Sequence, residues 1–143
     1  VEAAEQGWFA QERSVLDMGC GTGVLGIMAK KCGATNVVAV DIDDKSVANT
    51  IENSQANEVE LEVRLGSTPP DGEYDLILAN IHRNILIEHM PAYAKNLREG
   101  GELWLSGFYK EDIAYLTQAA EQVGLKHTET NCHNEWQWLR LKK

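Results

Sequence analysis

Positive charge is scarce in this sequence. It has 13 Lys and Arg against 22 Asp and Glu, a formal net charge of −9. A nucleic-acid-binding face needs a basic patch to meet phosphates, so direct nucleic-acid binding is not expected. An acidic body suits a basic partner, although most surface carboxylates only solvate a fold. Cysteine is scarce too: Cys20, Cys32 and Cys132 form an odd set without paired spacing. That is a poor disulfide framework and a poor zinc site, and it points to a reducing cytoplasm. No apolar run is long enough to span a bilayer, and no signal-peptide pattern opens the chain, so no membrane association is expected. Internal repeats and low-complexity segments are missing. So is an initiator Met, and the first residues read as the tail of a helix, which predicts a fragment of a longer protein. What is present is ordinary for a globular domain: 143 residues, 43% hydrophobic and 24% charged, enough for one domain with a sizeable core.

Taken in order, Val1 to Gln11 is helix-prone, with Trp8 and Phe9 on a partial apolar face. Ser14 to Met18 reads as a strand. Thr22 to Cys32 reads as a helix with Leu25, Met28, Ala29 and Cys32 at three- and four-residue steps, and Gly33 as its C′ residue. Asn36 to Val40 is a nearly continuous apolar run, as in a parallel strand covered on both faces. It ends at Asp41. Asp43 and Asp44 suit the cap and first turn of a helix to about Ala56, with Val47 and Ile51 inward. Leu61 to Leu65 alternates charged and apolar residues, as in a strand nearer a sheet edge.

Pro69-Pro70-Asp71-Gly72 is an exposed turn. Tyr74 to Ile81 is a central strand. Asn84 to Leu97 has helical spacing through Leu86, Met90, Tyr93 and Leu97, with Pro91 expected to kink or divide it and Gly100-Gly101 to close it. Glu102 to Leu105 is a fifth strand. Glu111 to Val123 is an amphipathic helix stopped by Gly124. Leu125 to Cys132 and Trp136 to Leu141 then read as an antiparallel pair. This order predicts a doubly wound, mostly parallel α/β sheet of seven strands, with an antiparallel last strand and no helix between the third and fourth strands.

The chemistry centres on Val15-Leu16-Asp17-Met18-Gly19-Cys20-Gly21-Thr22-Gly23. A strand running through a glycine turn into a helix N-terminus makes a nucleotide-type site. Gly21-x-Gly23-x-x-Gly26 matches the dinucleotide fingerprint as a pattern, but that frame begins beyond the strand's end. The frame Asp17-x-Gly19-x-Gly21-x-Gly23 begins at the strand. Asp17 there would repel a pyrophosphate and attract an ammonium. S-adenosylmethionine carries an ammonium and no phosphate, whereas NAD carries the reverse, so charge favours S-adenosylmethionine. Asp41 ends the next strand, where a carboxylate accepts both ribose hydroxyls, and Ile42 follows it to pack on adenine. Cys20 within the turn reads as a small neutral filler.

With these motifs and Tyr74-Asp75-Leu76-Ile77-Leu78-Ala79-Asn80-Ile81, the chain resembles the class I S-adenosylmethionine-dependent methyltransferases along essentially its whole length. Asp75 to Ile81, Gly100-Gly101, Leu105-Ser106-Gly107 and Glu135-Trp136 resemble more narrowly the family that methylates large-subunit ribosomal protein L11. That resemblance implies a Rossmann-like methyltransferase fold over 1–143. It implies S-adenosylmethionine as cofactor, S-adenosylhomocysteine as product, and a basic ribosomal protein methylated on lysine side chains and its N-terminal amine. It also implies a substrate-recognition domain and a Thr-containing segment, both upstream of residue 1. The implied cofactor contacts are Asp17, Gly19, Cys20, Gly21, Thr22, Gly23, Asp41, Ile42, Ser67 and Asn80. Asn80 is followed by Ile81-His82-Arg83 rather than by the Asn-Pro-Pro and aromatic of many amino-group methyltransferases, so nucleobase methylation is disfavoured. Gly66-Ser67 stands where many relatives hold adenine with an acid, which leaves Ser67 or a backbone group to do so.

The expected mechanism is direct in-line transfer to a neutral amine, governed by positioning. The Asn80 side-chain oxygen or the Ile81 carbonyl accepts a hydrogen bond from the amine and aims its lone pair. No committed general base is evident; His82 is the nearest candidate and reads as a solvated loop histidine. His127, Cys132 and His133 lack a fourth ligand for a metal. Trp136 and Trp138 share a strand face and read as core. Phe108 and Tyr109 either line a substrate entrance or form an exposed pair. No oligomer is required. The competing readings are a small-molecule amine methyltransferase and a cofactor-binding module inactive without its recognition domain. An NAD oxidoreductase is disfavoured by Asp17 and by the lack of a Tyr-Lys or His-Asp arrangement.

Overall fold

The computed structural model describes residues 13–133 and 136–143, and for 131–133 and 136 the backbone alone. The helix expected over Val1 to Gln11, with Trp8 and Phe9, lies outside the described residues. So do Glu135 and the side chains of Cys132, His133 and Trp136. The elements are β1 (Ser14–Met18), α1 (Val24–Lys31), β2 (Asn36–Asp41), α2 (Asp44–Ala56), β3 (Glu62–Leu65), β4 (Tyr74–Asn80), α3 (Arg83–Asn96), β5 (Leu97–Ser106), a 3₁₀ turn (Lys110–Asp112), α4 (Ile113–Gln122), β6 (Lys126–His133) and β7 (Trp136–Lys142). They fall into two compact units, Val1–Ser67 and Thr68–Lys143.

In the first unit, Val15, Leu16, Val37, Ala39 and Val40 are buried, as continuous apolar strands covered on both faces should be. β1 and β2 pair in parallel, from Ser14 opposite Asn36 to Met18 opposite Val40. β3 pairs in parallel with β2, from Val38 opposite Glu62 to Asp41 opposite Leu65, in the order β3-β2-β1. The alternating β3 is thus the end strand its sequence predicts. Asp43 caps α2 by accepting the Lys45 N–H at 3.1 Å, with Asp44 in the first turn.

The buried helix faces differ from the periodic reading. α1 buries Gly26, Ile27 and Ala29, while Leu25 and Met28 are exposed. Gly26 lets α1 approach β2, since an added Cβ would stand 3.3 Å from Val37 Cγ1. A glycine gives no apolar signal, so of the four periodic residues Ala29 is buried and Cys32 half-buried while Leu25 and Met28 are turned out. α2 buries Thr50 and Ser54; Ile51 is exposed and Val47 half-buried.

In the second unit, β4 is buried except at Asn80. It pairs in parallel with β5, ending with Asn80 opposite Ser106. β7 runs antiparallel to both β5 and β6, giving β4-β5-β7-β6. The expected antiparallel ending is present. α3 buries Leu86, Met90 and Tyr93 as predicted. It continues through Pro91 as a single helix instead of dividing there. Burying those three side chains, at roughly 1.5–3 kcal/mol each, outweighs the ~3 kcal/mol cost of an interior proline.

α3 closes at Asn96, not at Gly100-Gly101. Those glycines lie inside β5, where the register passes irregularly from Tyr74 opposite Leu97 to Leu76 opposite Glu102. Arg98 in this bulge pairs with Asp75 at 3.1 Å. Bends alone join β3 to β4, as expected, though Pro69 of that turn is buried rather than exposed. The Trp104 and Trp138 rings pack at 6.1 Å, and the Arg140 guanidinium bridges the Glu102 carboxylate, so β5 and β7 share side-chain as well as backbone ties. No helix among the described residues is long and apolar enough to cross a membrane.

Candidate functional site

The first unit builds a loop at the C-terminal ends of β1 and β2. Gly19, Gly21 and Gly23 have φ of 75°, 58° and 83°, a region that side chains disfavour. The Gly19 and Cys20 N–H groups both donate to the Val40 carbonyl, at 2.8 and 3.0 Å. The Gly21 N–H donates to Asp41 Oδ2 at 2.9 Å. Asp41 Oδ1 accepts the Asp43 N–H, also at 2.9 Å. One carboxylate therefore ties the glycine turn to the start of α2. An ionised carboxylate has about four lone-pair sites, so each Asp41 oxygen keeps acceptor capacity after these bonds.

Two α2 residues complete the loop. Thr50 is fully buried; its Oγ1 donates to the Gly21 carbonyl at 3.0 Å and lies 3.3 Å from Cys20 Sγ. Asn53 Nδ2 donates to the Thr22 carbonyl at 2.8 Å. A Cβ at Gly23 would stand 2.7 Å from Thr50 Cγ2. Neither residue carries an apolar signal, so helical periodicity does not mark them. The usable signal was the poverty of apolar residues in α2, which leaves Thr50 and Asn53, three apart, to serve its inner face.

Asp17 lies under the turn and is 1% exposed. Its Oδ2 has no hydrogen-bond partner among the described residues. Burial pushes its carboxyl up to about 7; the Gly26 backbone N–H holds part of this back, and the Asp41 charge adds to it. A buried acceptor without a donor is a costly arrangement. A cationic donor arriving beside it would remove that cost. Burial likewise pushes the Cys20 thiol up, as suits a neutral filler facing Thr50.

Asp17, Gly19, Cys20, Gly21, Thr22, Gly23 and Asp41 thus gather in one place. Ile42 follows with its side chain 74% exposed, an apolar surface beside the Asp41 carboxylate. Ser67 is exposed in the bend after β3, and no hydrogen bond joins it to the loop among the described residues.

The second unit carries Asn80 and Ile81 at the C-terminal end of β4, the end where ligands meet open α/β sheets. Asn80 is exposed. The Ile81 N–H donates to the Ser106 carbonyl at 3.2 Å. His82 is the exposed N-cap position of α3. Phe108 and Tyr109 part company, Phe108 buried and Tyr109 exposed. Among the described residues no group of three or more His, Cys, Asp or Glu is arranged to hold a metal. His127 hydrogen-bonds Thr130 instead.

Comparison with known proteins places this geometry. The family model for ribosomal protein L11 methyltransferase (PrmA) matches residues 2–143. A ribosomal protein L11 methyltransferase of Porphyromonas gingivalis is 51% identical over 131 residues, covering 89% of this chain and 45% of the relative. One from Bacteroides thetaiotaomicron is 42% identical over 130 residues, covering 88% and 46%. The chain thus spans about half the length of the curated relatives it matches. The crystal structure of a ribosomal protein L11 methylase from Lactobacillus delbrueckii subsp. bulgaricus superposes with a TM-score of 0.88 at 29% identity, covering 98% of this chain and 76% of that one. A methyltransferase from Pyrococcus furiosus, 15% identical, shares the fold alone, with a TM-score of 0.81 over 99% of this chain and 82% of that one. The fold is the Rossmann-like methyltransferase fold, and the chain belongs to the ribosomal protein L11 methyltransferase family.

Proposed function

We propose that residues 1–143 form the S-adenosylmethionine-binding catalytic part of an enzyme that methylates amino groups of ribosomal protein L11, on lysine side chains and the N-terminal amine. The observation that carries this reading, beside the family, is the pair of carboxylates around the glycine loop. Asp17 is buried with an unpartnered oxygen. Asp41 is held by two backbone N–H groups with acceptor capacity to spare. Two carboxyl groups at a glycine turn, Asp17 losing the proton that burial holds on it as a cation arrives, suit a ligand with an ammonium and ribose hydroxyls, and oppose a pyrophosphate.

When bound, the cofactor supplies a methyl carbon on a sulfonium, already activated for attack. The chain's own residues bind and orient. Asp17 meets the ammonium, directly or through water. Asp41 takes the ribose hydroxyls on the lone pairs its loop bonds leave open. Ile42 covers adenine with its exposed side chain, and Ser67 stands in the bend that reaches the adenine edge. Cys20 and Thr22 stand in the loop that meets the cofactor, held in place there by the Cys20 Sγ contact with Thr50 and the Asn53 bond to the Thr22 carbonyl. The Asn80 oxygen or the Ile81 carbonyl accepts an N–H from the substrate amine and aims its lone pair. The amine loses its proton to bulk water before it enters. A ribosomal protein substrate supports a cytoplasmic enzyme.

Calorimetric titration of the full-length protein with S-adenosylhomocysteine and with NAD tests the cofactor reading. Binding of S-adenosylhomocysteine and not NAD is expected. The reverse result would sink the proposal.

A further inference from the structure

The corner between β4 and α3 is pinned at both ends. At one end the Ile81 N–H donates to the Ser106 carbonyl. At the other the Arg83 guanidinium donates to Asp112 Oδ1 at 3.0 Å and lies over the Tyr115 ring, 5.1 Å from its centroid. Asp112 is 7% exposed. Its second oxygen accepts the Tyr109 N–H at 2.9 Å, and its own N–H donates back to the Tyr109 carbonyl at 2.9 Å. One buried carboxylate therefore joins two corners: the one after β4 through Arg83, and the one after β5 through Tyr109. Burying a carboxylate is costly unless it is paired and hydrogen-bonded. Both Asp112 oxygens are committed to corner geometry.

Asn80, directly before the first of these pins, is exposed, and its side chain makes no hydrogen bond with a described residue. Its direction is set by the backbone and by what backs it. Gly107, at φ +84°, is that backing: a Cβ there would stand 2.6 Å from Asn80 Oδ1 and 3.0 Å from the Ile81 nitrogen. The corner after β5 must therefore hold its place for Asn80 to hold its own.

We infer that Asp112 is a positioning residue for methyl transfer, fixing through Arg83 and Tyr109 the corner that aims the Asn80 amide. This rests on the role proposed for Asn80. Preorganised acceptors raise rate by holding reacting atoms in line, and small displacements are expensive. The interaction is legible only in three dimensions, since Arg83 and Asp112 are far apart in sequence and neither belongs to a recognised motif.

The test is steady-state methylation of ribosomal protein L11 by full-length enzyme carrying Asn80→Ala, Asp112→Asn, Arg83→Met, or Asn80→Ala with Asp112→Asn. Arg83→Met keeps the test open should the buried Asp112 prove necessary for folding. Asp112→Asn and Arg83→Met should each lower kcat roughly 10- to 100-fold while S-adenosylhomocysteine affinity stays within about twofold. The double variant should be no slower than Asn80→Ala alone, which a merely structural role for Asp112 would not produce. An unchanged kcat in Asp112→Asn beside a slow Asn80→Ala overturns this inference alone. So does a double variant whose losses multiply. An unchanged kcat in Asn80→Ala overturns the reading of Asn80 and this inference with it.

Discussion

Asp17→Asn separates the cost of the buried carboxylate from the shape of the loop. The Asp17 carboxyl is pushed from an ordinary 3.8 up to about 7 in the native state. Between those values the native protein holds a proton that the unfolded chain has lost. Stability from this group is full below pH ~4, falls as the pH rises to about 7, and is level beyond. At about 1.4 kcal/mol for each pH unit of separation, the loss reaches about 4 kcal/mol. Asparagine has nearly the same shape and no charge to desolvate. In urea unfolding of the cofactor-free protein, the stability of Asp17→Asn relative to the native sequence should rise by roughly 2–3 kcal/mol between pH 5 and pH 8. The change with pH is the readout, since the asparagine amide brings hydrogen-bonding demands of its own. The variant should also bind S-adenosylmethionine more weakly, having lost the charge that meets the ammonium. Parallel pH curves for the two proteins would refute the reasoning, because Asp17 would then ionise in the native state as easily as in water.

Three further substitutions test the rest of the loop and the transfer point. Gly23→Ala should cost about 1–3 kcal/mol in unfolding experiments, because φ is +83° and the added Cβ would meet Thr50 Cγ2 at 2.7 Å. It should also abolish tight S-adenosylhomocysteine binding in a titration, and a normal Tm with normal affinity would contradict the loop geometry. Thr50→Val removes the donor to the half-buried Gly21 carbonyl and should cost roughly 0.5–1.5 kcal/mol; cofactor affinity should fall while kcat at saturating cofactor stays level. Asn80→Ala should lower kcat for L11 methylation with little change in S-adenosylhomocysteine affinity, and equal losses in both would remove its assigned part.

Much of the fold was legible because its strands are extreme. A run such as Asn36 to Val40 has no polar face, and only a strand covered on both sides accommodates that. Capping at Asp43 and the antiparallel ending were likewise local signals. The helices were harder. In α1 the inward position is Gly26, whose value lies in having no side chain, so Leu25 and Met28 appeared to be the buried face. In α3 one helix runs through Pro91, so of the two effects expected of the proline, division does not occur; core burial around Leu86, Met90 and Tyr93 is invisible to a local rule.

The candidate site divides in the same way. Asp17, Asp41 and the glycines announced themselves by spacing. Thr50, Asn53, Arg83 and Asp112 did not, because each acts on a backbone group or side chain distant in sequence. Asp41 shows the limit of a motif reading even where the residue is well chosen. Its carboxylate was expected to serve a ligand, and it also fastens the Gly21 and Asp43 backbones. Loss of Asp41 would therefore disturb the loop as well as any ribose contact.

The most direct measurement of the central claim is mass spectrometry of ribosomal protein L11 after incubation with the full-length enzyme and methyl-deuterated S-adenosylmethionine. Labelled methyl groups on lysine Nζ atoms and on the N-terminal amine of L11 are the predicted result, reduced sharply by Asn80→Ala. Unlabelled L11 beside an enzyme that consumes the cofactor with a small amine would contradict the account.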